Sequence, residues 1–326
     1  MSDTDTDTDT DTDTGSGAET ASGWQQRIEG EWYGNPAVWD AEGNHTGFIK
    51  VNRSSVFDQG GTTYYMHTLF DGIGPLRPRL EFVEFAFGVK DSDRDRIYMG
   101  PDFYGAGQPY GALVDAHYYS PAWQADLRTM VHILDDGETQ VYSSLLYEGP
   151  KILCVFNGIY KVAFDYEANA ATRERIDAWC ASERVNAKLP HTLPAKQAGT
   201  WTGRMHAYDG DQKPAGEVQV RIAHEPTSLL RARQTVTLTG LLEHEWSYER
   251  FRNANLHTFD GPDVWGNATG YGRALYTSQH VHGTALKIAG RDFLIDDAHT
   301  MSSVWRVLDG DRTAWFLFGE LAFEPS

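Results

Sequence analysis

The twelve histidines of this 326-residue sequence are its side chains best suited to proton transfer near neutral pH. His280 and His282 are separated by one residue in a run with strand texture, and the period of two would put both imidazoles on one face. That spacing serves a metal site or an acid/base pair. Glu243, His244 and Glu245 lie upstream, followed by Tyr248 and His257. A metal site needs a third convergent ligand, and no Glu follows the His pair within a few residues as it does in cupin-like sites. No metal is therefore expected, and a hydrogen-bonded or surface pair is the alternative to an acid/base pair.

The first half carries a comparable set. His67 follows Tyr64-Tyr65 and shares a strand face with Tyr65, while Asp115, His117 and Tyr119 share another. Two sets are thus expected to line barrel interiors and move protons: His67, His117 and Tyr119 in the first half, and His244, His280 and His282 in the second. Tyr65, Glu84, Phe103, Tyr104 and Tyr248 are the candidate substrate contacts. Glu81 and Glu84 punctuate an apolar run and point to opposite faces, so one of them could be buried and raised in pKa, or both could be solvated. Each Tyr could equally be a core ring with a satisfied hydroxyl.

Other chemistries find no support. The chain has no Gly-rich phosphate loop, no Gly-x-Gly-x-x-Gly opening a helix, no Cys-x-x-Cys and no Gly-x-Ser-x-Gly elbow. Nucleotide cofactors and the α/β-hydrolase triad are thereby unsupported, and no cofactor is expected.

The elements that must position these residues occur twice. Gly30-Glu31-Trp32-Tyr33-Gly34 recurs as Gly199-Thr200-Trp201-Thr202-Gly203. Further anchors then repeat at a constant offset of 161 residues: Tyr110-Gly111 with Tyr271-Gly272, Asp135-Asp136 with Asp296-Asp297, Thr139 with Thr300, Gly149 with Gly310, and Gly158 with Gly319. Forty-nine residues align without a gap, which reads as a tandem duplication of a domain-sized unit. In this register Tyr119 falls on His280 and His117 on Ser278.

Each copy is a series of short runs rich in Val, Ile, Phe, Tyr and Thr between Gly, Asp and Pro, giving eight to ten strands. Asp135-Asp136-Gly137 is a tight-turn signal. The Gly- and Pro-rich segments 100–111 and 260–272 read as loops that could serve as lids. Helix is confined to Glu167–Lys188, where Ile176, Trp179 and Val185 could form an apolar stripe and Pro190 and Pro194 close the segment. The expected organisation is an Asp/Thr tail at 1–23 that stays disordered, a barrel at 24–166, a helical linker at 167–198 and a second barrel at 199–326. The fold class is all-β, because antiparallel strands without covering helices protect their edges best by closing.

The Gly-x-Trp-x-Gly at the head of each copy resembles the first-strand motif of lipocalins and the wider calycin group. That resemblance implies lipocalin-like barrels in which Trp32 and Trp201 plug the closed ends. In plan the chain is similar to two-domain carotenoid hydratase-like proteins of this broad group, and no active-site residue carries over.

Net charge is −18, which opposes nucleic acid and anionic membrane as partners. Only Cys154 and Cys180 occur, which fits a reducing compartment. With no signal-peptide pattern and no apolar run of spanning length, the expected location is the cytoplasm. The expected partner is a small hydrophobic or aromatic molecule, with a homodimer possible by symmetry. Three functions fit: a cofactor-independent lyase, hydratase or isomerase using His and Tyr; a small-molecule binding protein without catalysis; and an assembly protein. A ligand in electron density would choose among them.

Overall fold

The computed structural model describes residues 24, 27–58, 61–72, 77–80, 84–92, 94–101, 103–121, 123–187, 197–296 and 299–326. The Asp/Thr tail, Glu81, Asp297 and residues 188–196 with both linker prolines lie outside that set.

The chain forms two closed antiparallel barrels of ten wall strands each, joined by one helix. The first contains β1 (Gly30–Gly34), β2 (Ala37–Asp40), β3 (His45–Asp58), β4 (Gly61–Gly72), β5 (Glu84–Asp91), β6 (Arg96–Met99), β7 (Tyr104–Tyr110), β8 (Leu113–Ser120), β9 (Ala125–Ile133), β10 (Thr139–Glu148) and β11 (Lys151–Ala163). Both β1 and β2 pair with β3 and β11, so they are two halves of one wall strand. The break falls at Asn35-Pro36, where proline cannot donate to the ladder.

The second barrel runs β12 (Gly199–Asp209), β13 (Pro214–Pro226), β14 (Arg231–Gly240), β15 (His244–Asn253), β16 (Leu256–Asp260), β17 (Val264–Tyr271), β18 (Ala274–Val281), β19 (Leu286–Asp296), β20 (Thr300–Asp309) and β21 (Arg312–Pro325), closing through β12 and β21. The starts of β8 to β11 map onto those of β18 to β21 at the sequence offset of 161. Turn geometry repeats as well: Gly111 and Gly272 have φ of 62° and 59°, and Gly149 and Gly310 have 57° and 65°.

The segments 100–111 and 260–272 are not lids. Most of each is strand, β7 and β17, and its glycines serve close strand approach. A Cβ on Gly105 or Gly266 would come within 2.3 or 2.4 Å of a carbonyl oxygen on the neighbouring strand.

The linker helix spans Ala170–Asn186, capped by Asn169, whose side chain accepts from the amides of Ala171 and Thr172. It buries Ile176, Cys180 and Glu183, while Val185 is 70% exposed. The apolar stripe expected through Val185 therefore does not form, and the buried face runs through Ile176, Cys180 and Glu183. That carboxylate forms a buried ion pair with Arg273, which ties the helix to the second barrel.

The two barrels meet through matched contacts. Gly111, in the turn after β7, abuts Tyr208 of the second barrel, and its counterpart Gly272 abuts Trp39 of the first. Between them lies a polar seam. Arg291, fully buried, donates to the carbonyl of Met130 at 3.4 Å and to Ser143 and Ser302 at 3.3 and 3.2 Å. His132 Nδ1 meets the same Ser302 hydroxyl at 2.8 Å.

Candidate functional site in the first barrel

Strand alternation decides which side chains face the first barrel's interior. On β4 the buried set is Thr62, Tyr64, Thr68 and Phe70, and on β8 the inner face carries Val114, Ala116 and Tyr118. These walls enclose a cavity of about 120 Å³. Trp24, Ile28, Phe103 and Trp123 are among its lining residues. Trp32 is buried beside Ile28 and donates its Nε1–H to the Ile28 carbonyl at 3.0 Å. An apolar cavity of this order accommodates a small aromatic molecule.

The interior has a small set of polar atoms. Tyr118 Oη lies 3.0 Å from Thr129 Oγ1, which lies 2.8 Å from Ser144 Oγ, so three strands contribute to one hydroxyl chain. Arg53, on β3 opposite Trp32, donates to Gln140 Oε1 at 2.9 Å. Its guanidinium stands 5.9 Å from each of the Trp32, Tyr64 and Tyr160 ring centroids. Arg96 donates to Tyr64 Oη at 3.4 Å and lies 3.1 Å from Asp91. Burial pushes the hydroxyls of Tyr64, Tyr98, Tyr118, Tyr142 and Tyr160 above the ordinary tyrosine range. All five stay protonated at neutral pH and act as neutral hydrogen-bonding groups. Among the described residues, no His, Asp or Glu lines the cavity.

The second barrel is filled. Its remaining void is about 30 Å³. Trp305 pairs with Gly290 across β19 and β20, at the positions where Ser144 pairs with Thr129 across β9 and β10. The indole occupies space that the smaller first-barrel pair leaves open, and its Nε1 donates to Asp292 at 3.1 Å. Burial raises the Asp292 carboxyl, opposed by bonds from Ser303 and Trp305 and by the charges of Arg250 and Arg291.

The sequence-derived proton-transfer sets do not line either interior. His67 and His117 lie on the outer wall and face Glu84 at 3.4 Å and Asp126 at 3.5 Å. Tyr119 is half-buried on the same outer face, with its ring 5.6 Å from that of the exposed Tyr104. His244 and His280 are exposed, and His282 sits in the turn after β18 rather than on a shared strand face. Of the substrate-contact candidates, Phe103 lines the first cavity and Tyr248 the second void, while Tyr65 and Glu84 are exposed. Among the described residues, no three His, Cys, Asp or Glu side chains converge as a metal-binding group.

Arg53, Tyr118, Thr129 and Ser144 were missed by reading the sequence, although parity held a signal. On β8, Asp115, His117 and Tyr119 share one face and Val114, Ala116 and Tyr118 the other, and the charged face belongs outside.

No protein-family model and no curated protein matches this sequence. Among solved structures, the chain is similar to a protein of unknown function from the DUF3598 family of Nostoc punctiforme. The TM-score is 0.59 at 10% identity, over 94% of this chain and 100% of that one. That likeness shows a shared fold and says nothing of activity. A putative outer membrane protein from Bacteroides fragilis (TM-score 0.22, 7% identity, 92% of this chain and 98% of that one) and kievitone hydratase from Nectria haematococca (0.18, 9%, 92% and 90%) align too loosely to carry an argument. Among the described residues, no helix is long and apolar enough to cross a membrane.

Proposed function

We propose that this protein binds a small hydrophobic, aromatic molecule inside its first barrel, with the second barrel serving as a packed structural partner. The observation that carries the reading is the matched pair: Thr129 and Ser144 leave the first barrel hollow where Gly290 and Trp305 fill the second. An apolar cavity with a few convergent polar groups is the usual anatomy of a small-molecule site. Titration of a fluorescent naphthalene derivative tests the reading. Saturable one-to-one binding, lost in Thr129→Gly/Ser144→Trp, supports it, and binding unaffected by that double replacement overturns it.

A second reading makes the ligand a substrate for a lyase, hydratase or isomerase. It is favoured by the Tyr118–Thr129–Ser144 hydroxyl chain, which could pass a proton to a bound molecule. Binding ranks first because efficient general acids have pKa values near the working pH, and burial moves these phenols the other way. Mass analysis of ligand recovered from the protein separates the two. Ligand unchanged in mass and chromatographic retention supports binding alone; a shifted retention or a gain or loss of water, abolished in Tyr118→Phe, supports catalysis.

A further inference from the structure

The two barrels differ in a second matched pair, and it concerns charge. Arg53 faces Trp32 across β1 and β3, and Ile222 faces Trp201 across β12 and β13. Gln140 faces Tyr160 across β10 and β11, and Met301 faces Leu321 across β20 and β21. Where the first barrel holds a guanidinium and an amide, the second holds two apolar side chains. The fold therefore builds this part of its wall without a cation, and Arg53 needs another explanation.

Its surroundings supply one. Arg53 makes one hydrogen bond, to Gln140 Oε1, and no ion pair among the described residues. Because a guanidinium can only donate, the Gln140 carbonyl must face it, and Gln140 Nε2 is left buried without an acceptor. The pair is thus rich in donors and short of acceptors. Arg96, by contrast, has its carboxylate in Asp91 at 3.1 Å. No carboxylate lines the cavity among the described residues, while three aromatic rings flank the Arg53 guanidinium at 5.9 Å. A weakly solvated cation beside apolar walls binds an oxyanion more strongly than the same cation in water, and a guanidinium fits the two oxygens of a carboxylate.

We propose that the ligand of the first barrel is an organic acid, an aromatic carboxylate of one or two rings whose carboxylate pairs with Arg53 while its rings fill the apolar cavity. This assignment rests on the binding reading above and adds the ligand's charge.

The test compares 1-naphthoate with its neutral isostere 1-naphthamide on the full chain at neutral pH. Naphthoate should bind at least about tenfold more tightly, as charge-assisted hydrogen bonds outweigh neutral ones. In Arg53→Met that preference for acid over amide should vanish, while Arg53→Lys should restore part of it. Should Arg53→Met fail to fold, the wild-type preference and its reduction in Gln140→Met carry the test. Equal affinity for acid and amide in the wild type overturns the anion assignment and leaves the binding reading standing. Failure of both probes to bind overturns both.

Discussion

The indole of Trp305 lies against Gly290 so closely that a Cβ added to that glycine would stand 3.0 Å from the ring's Cδ1. In the first barrel the same two strand positions hold Ser144 and Thr129, joined by a 2.8 Å hydrogen bond. One copy of a duplicated wall has a large ring with a glycine behind it, and the other has two small hydroxyls with a cavity in front. The replacement is paired, because a tryptophan opposite a threonine would overfill the site.

Exchanging these pairs should exchange the properties. Thr129→Gly/Ser144→Trp should fill the first barrel and weaken binding of an aromatic probe by at least tenfold, about 1.4 kcal/mol. Fluorescence titration beside a thermal melt measures both effects, and a folded double variant that still binds normally contradicts the assignment.

In the second barrel, Trp305→Ser should cost about 3–5 kcal/mol, the range for deleting a buried large aromatic. The loss includes the indole bond to Asp292. Urea unfolding at neutral pH gives the number, and a cost below about 1 kcal/mol, far under that range, would show that the ring is dispensable packing.

The outer-wall histidines should be bystanders to binding. Alanine at His67, His117, His244, His280 or His282 should change probe affinity by less than about twofold, because none lines the cavity. Calorimetry on the five variants checks this, and a tenfold loss in any of them would reopen a site on the outer wall.

The linker clamp should be expensive to break from one side. Glu183→Ala leaves Arg273 buried and unpaired, a loss of about 3–5 kcal/mol. Glu183→Leu/Arg273→Met should recover most of that, since apolar replacement of a buried pair is often neutral. A double-mutant cycle by denaturant unfolding reads the coupling, and additive losses would rule out a specific pair.

Acid should weaken the seam between the barrels through His132. Burial, with the positive charge of Arg291 and His206 nearby, lowers its pKa to about 3 from the ordinary 6.5. Below about pH 6.5 the unfolded chain takes up a proton that the native protein refuses until about pH 3, so this site's contribution falls as pH drops through that window. Between pH 7 and 4.5 the wild type should lose about 2–3 kcal/mol relative to His132→Gln, at 1.4 kcal/mol per pKa unit. Parallel stability-versus-pH curves for the two proteins would exclude the effect.

The duplication and the all-β class were legible in the chain itself. Gly-x-Trp-x-Gly and the offset of 161 are one-dimensional signals, and β8 to β11 start where that offset places their partners. The turn glycines were equally readable, because a positive φ restricts the residue type wherever the turn sits. Strand parity was only half legible. Alternation on β8 separates Asp115, His117 and Tyr119 from Val114, Ala116 and Tyr118, but choosing the inner set requires weighing burial against chemical appeal, and the reactive-looking set lies on the outer wall.

Tertiary structure decided the rest. Whether a barrel is hollow depends on summed volume across neighbouring strands, and Ser144 opposite Thr129 acquires meaning only beside Trp305 opposite Gly290. The charge of the cavity depends on which cation is already paired: Arg96 has Asp91 beside it, while among the described residues Arg53 meets an amide and aromatic rings. Sequence fixes side-chain type and strand parity through local sterics, but volume and charge balance are sums over residues that only folding brings together.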